Sequence, residues 1–136
     1  MQVLHPSHWA QTKGFSNGIC AEGRQVFVAG QIGWDATQRF GSDSFVAQTE
    51  QALRNIVTVL AEAEATPEHI VRLTWYVTDK REYLAHLREV GEVYRRVIGR
   101  HFPAMTLVQV VALVEDRAKV EIEATAVIPV PAAGRG

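Results

Sequence analysis

The chain has 136 residues, of which 47% are hydrophobic and 21% are charged, a balance typical of one globular domain with its own core. A net charge of −1 and a pI near 6.5 argue against nonspecific binding to nucleic acids or membrane surfaces. The single cysteine, Cys20, excludes an internal disulfide and a multi-cysteine zinc site.

The first half of the chain is predicted to contain three short strands, at residues 2–4, 18–21 and 25–29. The last two are expected to form a hairpin across Glu22-Gly23-Arg24. A long connection then leads to a helix, which Ser42 or Ser44 caps and which extends to about Ala65. Apolar and small residues at helical spacing predict one buried stripe on it, formed by Phe45, Thr49, Ala52, Leu53, Ile56, Val59, Leu60 and Ala63.

The second half is predicted to contain a strand, a helix and two more strands. The first strand covers residues 70–78, and the helix lies between its cap Asp79 and its stop Gly99. Alternating apolar residues indicate strands at 105–113 and 118–128, which are expected to form a hairpin across Glu115-Asp116-Arg117. Residues 1–128 are therefore predicted to be a single domain, followed by a loose tail at 129–136.

This order of strands, helix, strand, helix and strands predicts an α+β fold, a mixed β-sheet with two helices packed on one face. One chain of this length offers no third layer for the other face of the sheet. We therefore expect an open apolar face, which would favour association with other subunits.

Two carboxylates lie on one face of the predicted last strand. Lys119, Glu121, Glu123 and Thr125 share that face, and the other face carries Val120, Ile122, Ala124 and Ala126. Charged side chains in such an apolar strand indicate a solvated face, a subunit contact or the border of a site.

The sequence carries none of the common catalytic or cofactor-binding motifs. The sequence contains no P-loop, nucleophile elbow, HExxH or dinucleotide fingerprint, so no cofactor is expected. His5 and His8 are close in sequence but lie near the N-terminus beside a proline, and a metal site is not expected there. The N-terminal residues lack the pattern of a signal peptide, and no stretch is long enough to span a membrane, so we expect a cytoplasmic protein.

Five segments of the chain together resemble a known family. Pro103-Ala104-Met105-Thr106 leads into a strand, and Val120-Glu121-Ile122-Glu123-Ala124 follows it. Residues 27–32 read Phe-Val-Ala-Gly-Gln-Ile. Residues 48–56 are similar to the first helix of the same family, and residues 77–79 are similar to the end of its central strand. These segments resemble the Rid (YjgF-type) family of reactive intermediate deaminases. The resemblance implies a chorismate-mutase-like fold and a homotrimer that binds a small molecule in clefts between subunits.

The resemblance also implies a chemistry. In the family, an arginine after Pro-Ala pairs with the substrate carboxylate, and a glutamate of the Val-Glu-Ile-Glu-Ala strand positions water. Backbone groups at the Gly-Gln-Ile turn and an N-terminal tyrosine complete the cleft. Carried over to this chain, the glutamate is Glu121 and the turn is Gly30, Gln31 and Ile32. Hydrolysis of an imine needs no cofactor.

The chain departs from the family at several positions of the cleft, one of them Gly33-Trp34 after Ile32, where the family often has proline. Met105 stands at the arginine, Phe15 at the tyrosine, Gly91 where many members have asparagine, and Ala29 at the serine beside Gly30. Methionine cannot pair with a carboxylate, and an unpaired buried carboxylate is costly. We therefore expect no efficient hydrolysis of standard 2-imino acids, and a more apolar pocket lined by Phe15, Trp34, Met105 and Leu107.

Three functions remain open from the sequence. The cleft hydrolyses a small imine or enamine without an α-carboxylate, with Glu121 as acid and base, or the trimer binds an apolar metabolite without turnover. Because some Rid-family members have been described as endoribonucleases, an RNA role is the third. The basic residues Arg95, Arg96 and Arg100 lack an aromatic stripe, so nucleic acid is not the expected partner. Structural roles also stay open: Glu121 on a wet face or in an intersubunit salt bridge, and Met105 in core packing.

Overall fold

A computed structural model describes residues 1–131, so residues 132–136 of the predicted tail lie outside the described residues. The elements follow in the order β1 (Gln2–Leu4), β2 (Gly18–Cys20), β3 (Arg24–Ile32), α1 (Phe45–Glu62), β4 (Ile70–Val77), α2 (Lys80–Ala85), α3 (Leu87–Val97), β5 (Ala104–Gln109) and β6 (Val120–Ile128). The predicted α+β architecture is confirmed. α1 packs against α3, β3 and β6, and both long helices contribute to one hydrophobic core with the sheet.

The main sheet has four strands in the order β3-β6-β4-β5. β4 and β5 are parallel because α2 and α3 form the crossover between them, whereas β6 is antiparallel to both of its neighbours. The predicted hairpin across Glu115-Asp116-Arg117 is therefore wrong, since β4 lies between β5 and β6. β5 also ends at Gln109, and the apolar residues that follow it form a connection instead of extending the strand.

The predicted hairpin across Glu22-Gly23-Arg24 is wrong as well. β2 pairs with β1 in a separate two-stranded sheet, with Gln2 opposite Cys20, while β3 pairs with β6. Gly23 has a φ of 150°, and a Cβ atom there would overlap the carbonyl group of Ile128. This glycine therefore allows a close approach between the beginning of β3 and the end of β6.

The long helix α1 begins and packs as its sequence predicts. The Ser44 side chain caps it by accepting a hydrogen bond from the Ala47 amide at 3.3 Å. Most of the predicted stripe is buried, but Val59 is 40% exposed and Gln48, a polar residue outside that prediction, is only 1% exposed. The helix ends at Glu62, slightly before the expected Ala65.

Two amide side chains fix α1 to the sheet. Gln48 donates hydrogen bonds to the Ser42 and Arg117 carbonyl groups and accepts one from the Lys119 amide. Asn55 donates to the carbonyl groups of Ile32 and Trp34, at 3.1 and 2.8 Å. These contacts hold the end of β3, which contains the predicted turn at residues 30–32, and the beginning of β6, which contains Glu121.

The predicted second helix consists of two helices. Asp79 caps α2 by accepting from the Arg81 amide at 2.9 Å, as expected, but the chain leaves helical geometry at His86, with φ −125° and ψ 26°. α3 then continues to Val97, and Gly99 follows it with a φ of 95°, which agrees with the predicted glycine stop.

The face of the sheet that the helices leave open is mixed in character. Its side chains include Phe27, Arg72, Thr74, Tyr76, Glu121, Glu123 and Thr125. The expectation of an apolar face is therefore wrong, because the period of two places charged and hydroxyl groups here and the aliphatic residues in the core. Among the described residues, no helix is long and apolar enough to cross a membrane.

Candidate functional site

Glu121 projects from β6 onto the open face of the sheet. Its neighbours Val120 and Ile122 are fully buried in the core, so the alternation predicted for this strand is present. In register, Glu121 lies opposite Ile32 of β3 and Tyr76 of β4. No hydrogen bond or ion pair joins its carboxylate to another part of residues 1–131. The carboxylate is thus available to a ligand or to water.

Gly30 lies directly against this carboxylate. The pairing of β3 with β6 is irregular between Val28 and Gln31, so Ala29 and Gly30 bulge out of the regular ladder. A Cβ atom at position 30 would stand only 2.8 Å from the Glu121 Cδ atom, and the Gln31 side chain folds back onto the Ala29 carbonyl group at 3.0 Å. The absence of a side chain at Gly30 therefore determines where the carboxylate can lie.

The second carboxylate of the strand, Glu123, is already occupied. It accepts a hydrogen bond of 2.7 Å from the Tyr76 hydroxyl group. That hydrogen bond raises the pKa of Tyr76 above its usual range, with smaller contributions from desolvation and from the charges of Glu123 and Glu121. Glu121 and Glu123 share one face of one strand, but they differ in their partners.

Met105 and Gly91 line a different feature, a cavity of about 270 Å³ between α3 and β5. We call it the Met105 cavity, and its lining residues are Gly14, Trp75, Tyr83, Leu87, Val90, Gly91, Tyr94, Arg95, Phe102 and Met105. Tyr94 stacks on Phe102 with ring centroids 5.8 Å apart, and its hydroxyl group donates to the His101 carbonyl group. Burial raises the pKa of both Tyr83 and Tyr94, so both phenols stay neutral at ordinary pH.

The N-terminal loop reaches this cavity through Gly14. The loop docks on β5 because the Ser16 amide donates to the Pro103 carbonyl group at 3.0 Å and its hydroxyl group donates to the carbonyl group of Phe102. Phe15 lies next to Gly14 in the chain and is 38% exposed, but it does not line the cavity. The loop therefore reaches the cavity through Gly14, whereas Phe15, which was predicted to line the pocket, does not line this cavity.

Three other predicted residues lie apart from the cavity. Leu107 is on the same face of β5 as Met105 and packs against the core. Ile32 is 7% exposed and offers little side-chain surface to a ligand. Trp34 packs on Phe40 with ring centroids 5.9 Å apart and does not line the Met105 cavity of its own chain.

The predicted site residues form two groups on opposite faces of the sheet. Met105 lies opposite Leu73 in register, and both belong to the face that the helices cover. Glu121 lies on the open face, near Ala29, Gly30 and the Tyr76 side chain. Within one chain, the glutamate and the Met105 cavity therefore cannot contact the same small molecule across the intervening sheet.

Comparison with known proteins agrees with this fold. Residues 7–128 match the model of the family described as Endoribonuclease L-PSP. The chain belongs to the Rid (YjgF) family. A structure of a Rid-family protein of unknown function from Yersinia pestis superposes with a TM-score of 0.83, at 32% identity, over 93% of this chain and 98% of that chain.

Two curated relatives of this Rid protein are similar over about three quarters of its length. Protein DfrA of Myxococcus xanthus is 40% identical over 106 residues, which cover 77% of each chain. A protein of Capra hircus named 2-iminobutanoate/2-iminopropanoate deaminase is 33% identical over 105 residues, 76% of this chain and 73% of that one. The family thus includes proteins named as imine deaminases.

The three arginines of the basic cluster in the sequence, Arg95, Arg96 and Arg100, do not share one environment in this Rid protein. Arg96 is paired with Glu50 at 2.7 Å, Arg95 lines the Met105 cavity, and Arg100 lines a separate cavity near His69 and His101. Over residues 1–131, no group of three or more His, Cys, Asp or Glu side chains is arranged to hold a metal ion. The three arginines therefore have three different surroundings.

Sequence reasoning missed several residues that line the cavity of this Rid protein. The sequence pattern places Trp75 on a strand face and Arg95 in a basic cluster, whereas both border the same space as Met105. For Arg95 the sequence carried a partial signal. Gly91 and Arg95 are four residues apart, which makes them neighbours on one face of a helix. What was missing was the position of that face relative to β4 and β5, which only the tertiary structure provides.

Proposed function

We propose that this Rid protein is an imine or enamine deaminase-like hydrolase that acts on a small metabolite other than a standard 2-imino acid. The observation that carries the proposal is the Glu121 carboxylate, which has no partner in residues 1–131 and which borders Gly30 on the open face. The deaminase name of the Capra hircus relative supports the same reaction class. The volume of the Met105 cavity, about 270 Å³, favours a small ligand.

The reaction requires one carboxylate and one water molecule. Water adds to the carbon of the C=N bond while Glu121 accepts one of its protons, and the carboxyl group then returns that proton to the nitrogen. In the resulting carbinolamine, Glu121 takes the hydroxyl proton and passes it to the amine nitrogen as the C–N bond breaks, so that ammonia leaves and a carbonyl compound remains. No oxidant or reductant is consumed, so orientation of the water and of the imine supplies the remaining catalysis.

We also propose that the active form is a homotrimer with ligand clefts between subunits. Glu121 of one chain and the Met105 cavity of the same chain face opposite sides of the sheet. A cleft that uses both groups must therefore combine them from two copies. Closed cyclic assemblies are the usual way in which identical chains build such shared sites.

The test is hydrolysis of imines generated in place, with semicarbazide as the competing trap. An amine oxidase acting on benzylamine supplies an imine without a carboxylate, and an amino-acid oxidase acting on alanine supplies 2-iminopropanoate. We expect wild type to hydrolyse the first faster than the second, and Glu121→Gln to lose about 10²–10⁴-fold of that activity, the usual contribution of a general base.

Glu123→Gln is the matched control, because Glu123 lies on the same face of the same strand and is engaged by Tyr76. It should retain most of the activity. Equal losses in the two variants would contradict a specific role of Glu121. Absence of turnover, together with thermal stabilisation by a bound imine analogue, would instead identify a binding protein. Salt-sensitive RNA binding that is lost in Arg95→Ala/Arg96→Ala would support an RNA role.

The departure at Met105 has its own test. In Met105→Arg, a guanidinium group becomes available beside the cavity, and charge-assisted bonds to a carboxylate are worth about 1.5–3 kcal/mol. We expect this variant to hydrolyse 2-iminopropanoate roughly tenfold faster than wild type or better. If wild type already hydrolyses 2-iminopropanoate efficiently, the expectation drawn from Met105 is wrong.

A further inference from the structure

The open face of the sheet is negatively charged around Glu121. Glu121 and Glu123 are two residues apart on one face of β6, and Tyr76 of β4 lies opposite Glu121 in the pairing of the two strands. All three side chains are half-buried, so water screens their charges and dipoles less than it would on a free surface. A region of this kind favours a ligand group that is positively charged.

The cations of the neighbouring strand positions do not neutralise Glu121. The ammonium group of Lys119, two residues earlier in the chain, pairs with Glu82 of α2 at 3.1 Å. Arg72 lies on the same face but opposite Thr125, four residues along β4 from Tyr76, which corresponds to about 13 Å. Over residues 1–131, no ion pair engages the Glu121 carboxylate, so its charge is available to a ligand.

The Tyr76 hydroxyl group is directed to the other carboxylate. It donates its proton to Glu123 at 2.7 Å, and this hydrogen bond raises the pKa of Tyr76, with desolvation and the charges of Glu123 and Glu121 adding to the effect. A phenol has one proton to donate, so its bond to Glu123 leaves the carboxylate of Glu121 unoccupied. Glu123 thus holds the hydroxyl group away from Glu121.

We propose that the Glu121 site binds a planar cation with N–H donors, and that the substrate class of this Rid protein is the protonated imine, or iminium ion, of a compound without a carboxylate. The Glu121 carboxylate, which lies against Gly30, accepts the N–H groups of such a cation in charge-assisted hydrogen bonds. Tyr76 and Glu123 are positioning residues, because they act through Glu121. This inference rests on the proposed function for the reaction, whereas the preference for a cation requires no turnover.

The iminium form also suits the proposed reaction. A positive charge on the C=N group makes its carbon atom a better target for water. The iminium ion and water give a carbonyl compound and an ammonium ion, so the charge that enters with the substrate leaves with the product. A 2-imino acid would instead bring a second carboxylate to a negatively charged face, and Met105 offers that carboxylate no ion pair.

The experiment compares three probes of nearly identical shape: benzamidinium, benzamide and benzoate. They share the phenyl ring of the imine formed from benzylamine and differ in charge and in their donors. Calorimetric titration into the full-length protein at neutral pH should show benzamidinium binding roughly tenfold more tightly than benzamide, and benzoate binding more weakly than benzamide. In Glu121→Gln, the affinity for benzamidinium should fall to within about twofold of that for benzamide.

Two substitutions of Glu123 test the positioning roles. Glu123→Gln keeps an oxygen that accepts from Tyr76 and should keep most of the preference for benzamidinium. Glu123→Leu removes the same charge and also the acceptor, so the Tyr76 hydroxyl group is free to donate to Glu121 and the preference should fall by roughly fivefold. Tyr76→Phe/Glu123→Leu should regain it, since no hydroxyl group is left to occupy Glu121.

Several results would overturn the proposal. These are equal affinity of wild type for benzamidinium and benzamide, tighter binding of benzoate, a preference that survives Glu121→Gln, and no binding of any probe. Equal preferences in Glu123→Leu and Glu123→Gln, or a double variant that stays weak, would overturn the positioning roles.

Failure of this inference is distinguishable from failure of the proposed function. Imine hydrolysis that depends on Glu121 but occurs in a protein without a preference for benzamidinium would support the hydrolase and overturn the cation site. A preference for benzamidinium that is lost in Glu121→Gln, in a protein without turnover, would support the cation site and overturn the hydrolase.

Discussion

At the scale of single residues, the contact between Gly30 and Glu121 makes a prediction about both stability and activity. A Cβ atom at position 30 would stand 2.9 Å from the Glu121 Cγ atom, closer than carbon atoms pack in proteins. We expect Gly30→Ala to lower the free energy of unfolding by about 1–3 kcal/mol, the usual cost of overpacking, and to reduce imine hydrolysis by displacing the carboxylate. Urea denaturation and the trapping assay measure the two effects.

The double variant shows whether the glutamate causes this cost. In a Glu121→Ala background, the atoms that a methyl group at position 30 would meet are gone, so Gly30→Ala should cost much less. Gly41→Ala is a control at a glycine of the connection between β3 and α1, since a Cβ atom there would meet nothing within 4 Å. An unchanged cost in the Glu121→Ala background would mean that backbone strain at position 30, and not the close contact, is responsible.

Individual residues of the candidate site also show which parts of a site a sequence can reveal and which it cannot. Glu121, Gly30 and Gln31 are recognisable because they lie in motifs that are continuous in the chain. The positions of Trp75 and Arg95 could not be found in this way, because they depend on how α3 lies over β4 and β5. A helical period identifies the face of a helix but not the strand that this face covers.

At the scale of elements, Gln48 joins α1 to the beginning of β6, so we expect its replacement to lower the stability of the fold. Its buried side chain bonds to backbone groups of Ser42, Arg117 and Lys119. Gln48→Met preserves the volume but leaves those groups without their partner, so we expect a loss of about 2–4 kcal/mol in the free energy of unfolding. Urea denaturation monitored by circular dichroism measures this loss.

Gln51 provides the matched control on the same helix. It is half-buried, and its side chain bonds to the Asn55 side chain and to no backbone group. Gln51→Met should therefore cost less than about 1 kcal/mol. Comparable losses in Gln48→Met and Gln51→Met would show that the backbone contacts of Gln48 contribute little to holding β6.

Element identity was more predictable than element pairing. The alternation in residues 120–126 correctly assigned Glu121 and Glu123 to one face, because a period of two is a local property. The partner strand is a nonlocal property: the predicted hairpin of β5 and β6 failed because β4 lies between them, and the predicted hairpin of β2 and β3 failed because β2 pairs with β1. The valines after Gln109 prolong the apolar pattern without prolonging the strand, which is why the predicted β5 is too long.

At the scale of the whole molecule, one chain presents two incomplete halves of the candidate site. The half around Glu121 lies on the open face, and the half around Met105 lies on the helix side. The connection after β5 also exposes Val111 and Val114 almost completely, at 105% and 97%. Exposed valines beside an edge strand favour burial against another subunit, which is consistent with the proposed homotrimer.

A shared cleft can be tested by combining two inactive variants. Glu121→Gln disables one half and Gly91→Leu disables the other, so each variant alone should be inactive. When the two are co-expressed with different tags and isolated as mixed trimers, about one cleft in three should combine an intact half from each chain. We therefore expect activity to reappear in the doubly tagged fraction, at a few tenths of the wild-type rate or less.

Light scattering on the same fractions provides the control, because the chain mass is 15.1 kDa and a trimer should have about three times that mass. Activity that stays absent in verified mixed trimers would mean that both halves act within one subunit or that only one of them acts. A monomer at micromolar concentration would contradict the shared cleft directly. Recovery of activity would require that a glutamate from one chain and a cavity from another meet at the same substrate, since neither parent chain contains both halves intact.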